Sequence, residues 1–273
     1  YINIRTNTPL SITAGDRGTV VIAQEFSKGT DASLYEITAS EMNYPEGATV
    51  ADKKLAELAL LGAKTVLLYK LPATHKDEAI TAMLKTLKTV DFDVLVYPYA
   101  KSSTSSSTAQ QTIATWVKSM QDDEGKNVTA VLPNYEADSE YTINSVQGVT
   151  LSDGSTLTVY EAAAWVGGIT AGASVTKSNT AQKFIGAIDV TPRMTRSEQE
   201  AAIKAGKFLL DVDRSQNVTV VADVNSLTTT TQDKGDIMKQ NRSVRTACGI
   251  RSDIQAVWDA SIKGSMTTMQ QAE

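Results

Sequence analysis

The sequence predicts an α/β protein, α+β overall. A parallel sheet of three or more strands carries helices on its faces, and a mixed sheet region with β-hairpins and C-terminal helices follows. Three observations carry this reading. Near-continuous apolar runs at 65–71, 92–97 and 128–132 recur about thirty residues apart, and each is closed by a proline, Pro72, Pro98 or Pro133. Between them lie amphipathic stretches that open on a hydroxyl residue with a carboxylate or amide three positions on. Further along, alternating apolar and polar residues are broken by turn signals.

Taken in order, Tyr1-Ile2-Asn3-Ile4 alternates with period two and reads as a lone strand, and Val20-Val21-Ile22 follows the turn signal Asp16-Arg17-Gly18. Thr49 and Asp52 form a capping box for a helix through Leu55, Leu58 and Ala59 that stops at Gly62. Thr74 with Asp77 is expected to cap a second, through Ile80, Met83, Leu84 and Leu87. Ser107 with Gln110 is expected to cap a third, through Ile113, Trp116, Val117 and Met120, ended by Gly125. The hydroxyl-rich run 102–108 before it reads as a solvated loop.

Beyond Pro133, residues 149–159 read as a hairpin turning at Asp153-Gly154. A helix of small residues is expected over 161–173. Its Gly167, Gly168 and Gly172 each cost about 1 kcal/mol against Ala in a helix, so close backbone packing or a break is implied. A strand over 184–190, a helix over 197–205 capped by Thr195 and Glu198 and ended by Gly206, and a hairpin from 208–212 and 218–223 follow. From Asp233 one or two helices place Ile250, Ile254, Val257, Trp258 and Ile262 at helical spacing. The chain divides on this reading into an extended segment 1–30, the root of an arm; an α/β domain 31–140; and an α+β core domain 141–273.

Composition excludes several classes of chemistry. A single His75 and a single Cys248 leave too few soft or imidazole ligands for a structural zinc site. No disulfide can close within a chain with one cysteine. A net charge of −5 argues against nucleic acid as a main partner, because phosphate binding needs a clustered basic surplus. The 57 Ser and Thr residues point to an uncharged polar surface. No apolar stretch reaches the length of a membrane-spanning helix, and no basic start leads into an apolar signal segment.

Motif searches return little. Gly62-Ala63-Lys64-Thr65 lacks the upstream glycine of a phosphate-binding loop and precedes a strand rather than a helix. Asp122-Asp123-Glu124 lacks calcium-loop spacing. Asp211 and Asp213 share a strand face that would permit a metal, and surface alternation explains them equally. His75, beside Lys76, Asp77 and Glu78, reads as a solvated first-turn histidine, and Cys248 as a small packed hydrophobe.

The C-terminal half adds a resemblance. The segment 220–229 (Val-Val-Ala-Asp-Val-Asn-Ser-Leu-Thr-Thr), then Lys234-Gly235-Asp236, then Asn241-Arg242-Ser243-Val244-Arg245-Thr246 and Asp253-Ile254, is similar to the tail sheath proteins of contractile phage tails and phage-tail-like bacteriocins of the Gram-positive type. Residues 162–168 with Thr170-Ala171-Gly172, Ser178-Asn179-Thr180, and 16–21 agree with it in order and spacing. The resemblance implies a structural protein, not an enzyme, with no cofactor. Six such subunits would ring an inner tube, the rings would stack helically, and the sheath would shorten to drive the tube through a cell envelope. Its partners would be further copies of itself, the inner tube protein, and baseplate and tail terminator proteins, with no nucleic acid and no membrane insertion. It would sit in the tail of a virion or phage-tail-like particle assembled in the bacterial cytoplasm.

Extended arms in the family add strands to a neighbour's sheet, a role that would fall to Tyr1, Ile2, Asn3 and Ile4. Lys234, Lys239, Arg242 and Arg245 would contact the tube, against a solvated basic face as the plainer reading. The start on Tyr1 and the end at Glu273, where family members continue, are expected to mark the middle of a longer subunit. Two other readings stand beside this one. An α/β hydrolase would need a deep pocket at the carboxyl ends of strands 65–71, 92–97 and 128–132. A surface binding module would need an outward-facing aromatic or charged patch.

Overall fold

A computed structural model describes residues 18–99, 108–232 and 234–261. In chain order it contains β1 (Thr19–Glu25), β2 (Leu34–Thr38), α1 (Val50–Leu60), β3 (Thr65–Leu71), α2 (Asp77–Leu87), β4 (Val94–Val96), α3 (Ala109–Asp122), β5 (Thr129–Val131) and β6 (Thr142–Ser145). These are followed by β7 (Gly148–Leu151), β8 (Thr156–Leu157), α4 (Val159–Gly172), β9 (Ala187–Thr191), α5 (Arg196–Lys204), β10 (Lys207–Val212) and β11 (Val218–Ala222). A short 3₁₀ turn at Asp236–Lys239 leads into α6 (Asn241–Ser261).

The apolar run Val20-Val21-Ile22 lies at the centre of the molecule. Its strand, β1, pairs in parallel with β3 on one side and β4 on the other, in an eight-stranded sheet of order β11-β10-β6-β5-β4-β1-β3-β2. The pairs β4–β5, β5–β6 and β6–β10 are also parallel, and antiparallel β2 and β11 lie at the ends. A second sheet, β8-β7-β9, is antiparallel. The 140/141 division read from the sequence falls between β5 and β6, which are hydrogen-bonded neighbours.

Burial on both sides explains why the parallel strands read as unbroken apolar runs. On one face Val20, Ile22, Val94 and Val96 pack with Leu55, Ala59, Val166 and Ile169 of α1 and α4. On the other, Val21, Ala23 and Leu95 pack with Ile80, Met83, Ile113 and Val117 of α2 and α3. The glycines of α4 serve close approach. A Cβ on Gly168 would collide with the Ala59 carbonyl oxygen, one on Gly167 with Val96, and one on Gly62 would stand 2.5 Å from the Ile169 amide nitrogen. α1 and α4 therefore meet backbone to backbone, and the helical cost of glycine is offset by that contact.

Capping boxes form at Thr49/Asp52 and Thr195/Glu198 as expected. A third, Thr158/Glu161, starts α4 at Val159, so the hairpin ends at Leu157 and not at 159. Two expected caps are replaced. Lys76, not Thr74, occupies the N-cap of α2, and Thr74 adopts a left-handed φ of 53°. Gln110 turns its amide inward to donate to the carbonyls of Pro133 at 2.8 Å and Tyr99 at 3.3 Å, while Thr108 takes the cap position of α3 without a side-chain bond. The strand expected over 184–190 begins at Ala187. Residues 1–17 and 100–107, with Tyr1–Ile4 and most of the hydroxyl run among them, lie outside the described residues.

Candidate functional site

Asp223, just past the end of β11, is the centre of a buried polar junction. Its Oδ2 accepts from the Asn179 backbone N–H at 2.9 Å and from Arg245 Nη2 at 2.9 Å, and its Oδ1 accepts from Asn241 Nδ2 at 2.8 Å. The Asp223 side chain is 1% exposed and that of Arg245 15%. Its backbone is used as well: the Asp223 N–H donates to Thr180 Oγ1 and its carbonyl accepts from the Asn241 N–H. Arg245 Nη2 also donates to the Lys177 carbonyl at 2.9 Å. One carboxylate thus fastens three chain segments, 177–180, 223–226 and the first turn of α6.

The next residues extend this junction into the sheet. Asn225, fully buried, donates from Nδ2 to the Met238 carbonyl at 2.7 Å, and its N–H donates to the Lys239 carbonyl at 3.0 Å. Ser226 donates from its N–H to the Thr142 carbonyl of β6, and its hydroxyl donates to the Ser139 carbonyl. Asp138 accepts from Thr228 N–H, Thr228 Oγ1 and Thr229 N–H, and the hydrogen bonds of Thr229 and Thr228 outweigh burial to hold its carboxyl well below the usual range.

Few apolar contacts hold α6. Of its described residues only Asn241 and Val244 are buried. The remaining attachments are polar: Asn127 Nδ2 donates to the Cys248 carbonyl at 2.9 Å, Arg251 Nη1 donates to the Gln121 carbonyl at 2.9 Å, and Thr246 Oγ1 donates to the Val175 carbonyl at 3.0 Å. The Cys248 thiol is half-buried, and its pKa is pushed up by burial. Between α6 and the amino ends of β4 and β5 lies a cavity of about 480 Å³, lined by Asp93, Thr129, Thr170, Val244, Cys248 and Gly249 among others. Ile250, Ile254, Val257 and Trp258, expected at helical spacing, share an outward face and are 48–65% exposed.

The four basic residues expected at a tube surface separate into different settings. Arg245 is taken up by Asp223. Lys234 is ion-paired with buried Glu140, and Lys239 with Asp236 at 2.8 Å. Arg242 is exposed on the first turn of α6. Asp213 accepts from the backbone of Ser215 and Asn217 and organises the β10–β11 turn. Among the described residues no group of three or more His, Cys, Asp or Glu is placed to hold a metal.

His75 corrects the sequence reading outright. It is 1% exposed, with Nδ1 2.6 Å from Glu25 Oε1 and Nε2 2.7 Å from Tyr97 Oη. Burial, before the nearby Tyr99 and Glu25, pushes the Tyr97 hydroxyl far up. The cluster fastens the β3–α2 connection to the carboxyl ends of β1 and β4. Where the hydrolase reading required a deep pocket, the carboxyl edge carries a cleft of about 250 Å³, while the larger cavity lies on the opposite edge.

The fold and this junction define a framework protein, in which buried polar residues join chain segments. The family model for the phage tail sheath protein central domain matches residues 73–226. The chain belongs to the phage tail sheath protein family. Two Bacillus subtilis (strain 168) proteins, YqbK and XkdK of the phage-like element PBSX, are 35% and 34% identical over 184 residues, 67% of this chain and 39% of each relative. The chain therefore spans about two fifths of these curated relatives. The tail sheath protein of Clostridium phage phiCD119 is 26% identical over 232 residues, 82% of this chain and 63% of that protein. The crystal structure of a sheath tail protein from Desulfitobacterium hafniense superposes with a TM-score of 0.80 at 26% identity, covering 95% of this chain and 82% of that one. The helical sheath of the anti-feeding prophage in its contracted state shares the fold alone, with a TM-score of 0.69 at 15% identity over 99% of this chain and 78% of that one. The phiCD119 relative and these two fold neighbours are sheath proteins.

Proposed function

We propose that the chain acts as a structural subunit of a contractile tail sheath, which stacks as six-membered rings around an inner tube and shortens to drive that tube through an envelope. The observation that carries the reading is the Asp223 junction. The segments whose order resembles sheath proteins, 178–180, 220–229 and 241–246, meet there in space, in a chain that the sheath family model matches. Contraction needs no catalytic residue. An extended array in a less stable state relaxes once triggered, because small interface gains add along a helical assembly.

In this proposal the partners are further copies of the chain, the tube protein, and the baseplate and terminator proteins at the two ends. Assembly takes place in the host cytoplasm. Residues Tyr1–Ile4 add a strand to a neighbouring subunit. Arg242 and Lys239 are the basic residues offered to the tube, since Arg245 and Lys234 are engaged by buried carboxylates. Co-expression of the full-length protein with its tube protein, followed by pelleting of assembled particles, tests the reading. Both proteins are expected in the pellet, and a full-length protein that stays in the supernatant alone under all conditions overturns it.

A further inference from the structure

The larger cavity borders α6 on its apolar side. Close-packed interiors leave few voids wider than a water molecule, so about 480 Å³ between a sheet edge and a helix is room for a further chain segment. Ile250 lines this space, and Ile254, Val257 and Trp258 continue its stripe along the helix at helical spacing, 48–65% exposed. A continuous apolar face on an otherwise polar helix marks a surface that another segment covers.

The chain itself arrives at this place. Gly18, the first described residue, leads into β1, and its carbonyl accepts from the Lys64 and Thr65 N–H groups at 3.1 and 3.2 Å. The next residue, Thr19, donates from its N–H to Asp93 Oδ2 at 2.8 Å. A Cβ on Gly18 would stand 2.3 Å from the Ala171 carbonyl oxygen. Asp93 and Ala171 both line the cavity, so the residues that precede Gly18 start at its rim. In the sequence, Leu10, Ile12 and Ala14 alternate with Ser11, Thr13 and Gly15, the period-two pattern of a segment with one apolar side. Residues 10–17 reach at most about 26–29 Å when extended, against roughly 14 Å from Gly249 to Trp258 along α6. Length suffices, and attachment at the rim gives this segment a local concentration there that no separate partner shares.

We propose that residues 10–17 cross this cavity from Gly18 and lie along α6, with Leu10 and Ile12 covering Ile250, Ile254 and Val257. Docking within one chain does not depend on sheath assembly, and it leaves Tyr1–Ile4 beyond the groove. Cys248, the only cysteine and a cavity-lining residue, provides the test. In the full chain, Leu10→Cys, Ser11→Cys, Ile12→Cys, Thr13→Cys and Ala14→Cys are made singly, each variant is oxidised with diamide in dilute solution, and mass spectrometry locates the disulfides. The three variants on the apolar side should close an intrachain bridge to Cys248 at least about tenfold faster than Ser11→Cys and Thr13→Cys, since a bridge requires Cβ atoms within about 4.5 Å. In Ile12→Asp, the amides of α6 should exchange at least about tenfold faster while β1 and β4 keep their protection. If that variant does not fold, the bridges in an otherwise native chain remain decisive. Bridges that form only between chains assign the groove to a second copy. That result, equal rates or no bridge at all five positions, or unchanged α6 exchange in a folded Ile12→Asp variant overturns the proposal.

Discussion

Replacing Asp223 by asparagine keeps the shape of the junction and removes its charge. The wild-type carboxylate accepts three hydrogen bonds, one from a guanidinium, at a side chain that is 1% exposed. Removing one partner of a buried pair leaves the other uncompensated and costs about 3–5 kcal/mol. Arg245 is poorly placed to recover, because its Nε and Nη1 are already buried without partners. One amide oxygen can still accept from Asn179 or Asn241, so Asp223→Asn is expected near the lower end, about 3 kcal/mol. Arg245→Met leaves the 1% exposed Asp223 carboxylate with two neutral donors and no cation, and should likewise cost about 3 kcal/mol. Because the two residues share one interaction, the double variant should be less destabilised than the sum by about 1 kcal/mol or more. Urea denaturation of the four proteins measures this cycle. Hydrogen exchange adds a local readout: amides of α6 should lose protection in Asp223→Asn while β1, β4 and β5 keep theirs, since α6 has few apolar contacts to hold it. A cost below about 0.5 kcal/mol, or strict additivity in the cycle, would refute the view that this pair seats α6.

Three further outcomes are expected. Gly168→Ala should destabilise by about 1–3 kcal/mol or more, because the added methyl meets the Ala59 backbone rather than a movable side chain, and Gly125→Ala, with open space around it, serves as a control whose loss comes only from its left-handed φ of 67°. His75→Phe should cost about 1–3 kcal/mol by chemical denaturation, since it strips Glu25 and Tyr97 of their buried partner, where a solvated histidine would cost almost nothing. Acid should destabilise the fold. For Asp52 and Glu161 burial pushes the carboxyl up, but hydrogen bonds from Thr49 and Ser27, and from Lys54 and Thr158, prevail and hold each low; Thr229 and Thr228 do the same for Asp138. Each folded value lies below the unfolded one of about 3.9–4.3, so the native state binds fewer protons. This stability is complete above about pH 5 and is lost as pH falls through the folded values, which thermal melts between pH 7 and pH 3 would register as a falling Tm.

What was legible in the sequence followed the range of the interactions involved. Periodicity and capping residues located α1, α4, α5, β3 and β10 because those signals lie within a few residues of the element they define. Val20-Val21-Ile22 was visible as an apolar run, but nothing local says that it lies between β3 and β4. β6 escaped notice because Thr142, Asn144 and Ser145 are polar and buried, with Asn144 Oδ1 accepting from the Tyr135 N–H. The burial of His75 is hidden in the same way: its sequence neighbours are charged, while the partners that bury it are 50 and 22 residues away. The Asp223 junction is not legible in the sequence: the resemblance picks out its segments but not their meeting, since the side-chain partners of Asp223 lie 44, 18 and 22 residues distant. The helical cost of the α4 glycines implies close packing or a break, and the structure decides for packing and supplies the partner, α1.

Electron microscopy of the full-length protein tests the central claim most directly. A sheath subunit is expected to form six-membered rings or tubes of constant diameter around a central channel, and the Asp223→Asn variant, with α6 unseated, should form them poorly or not at all. Particles that remain single subunits at every concentration and salt, in the presence of the tube protein, would contradict the account.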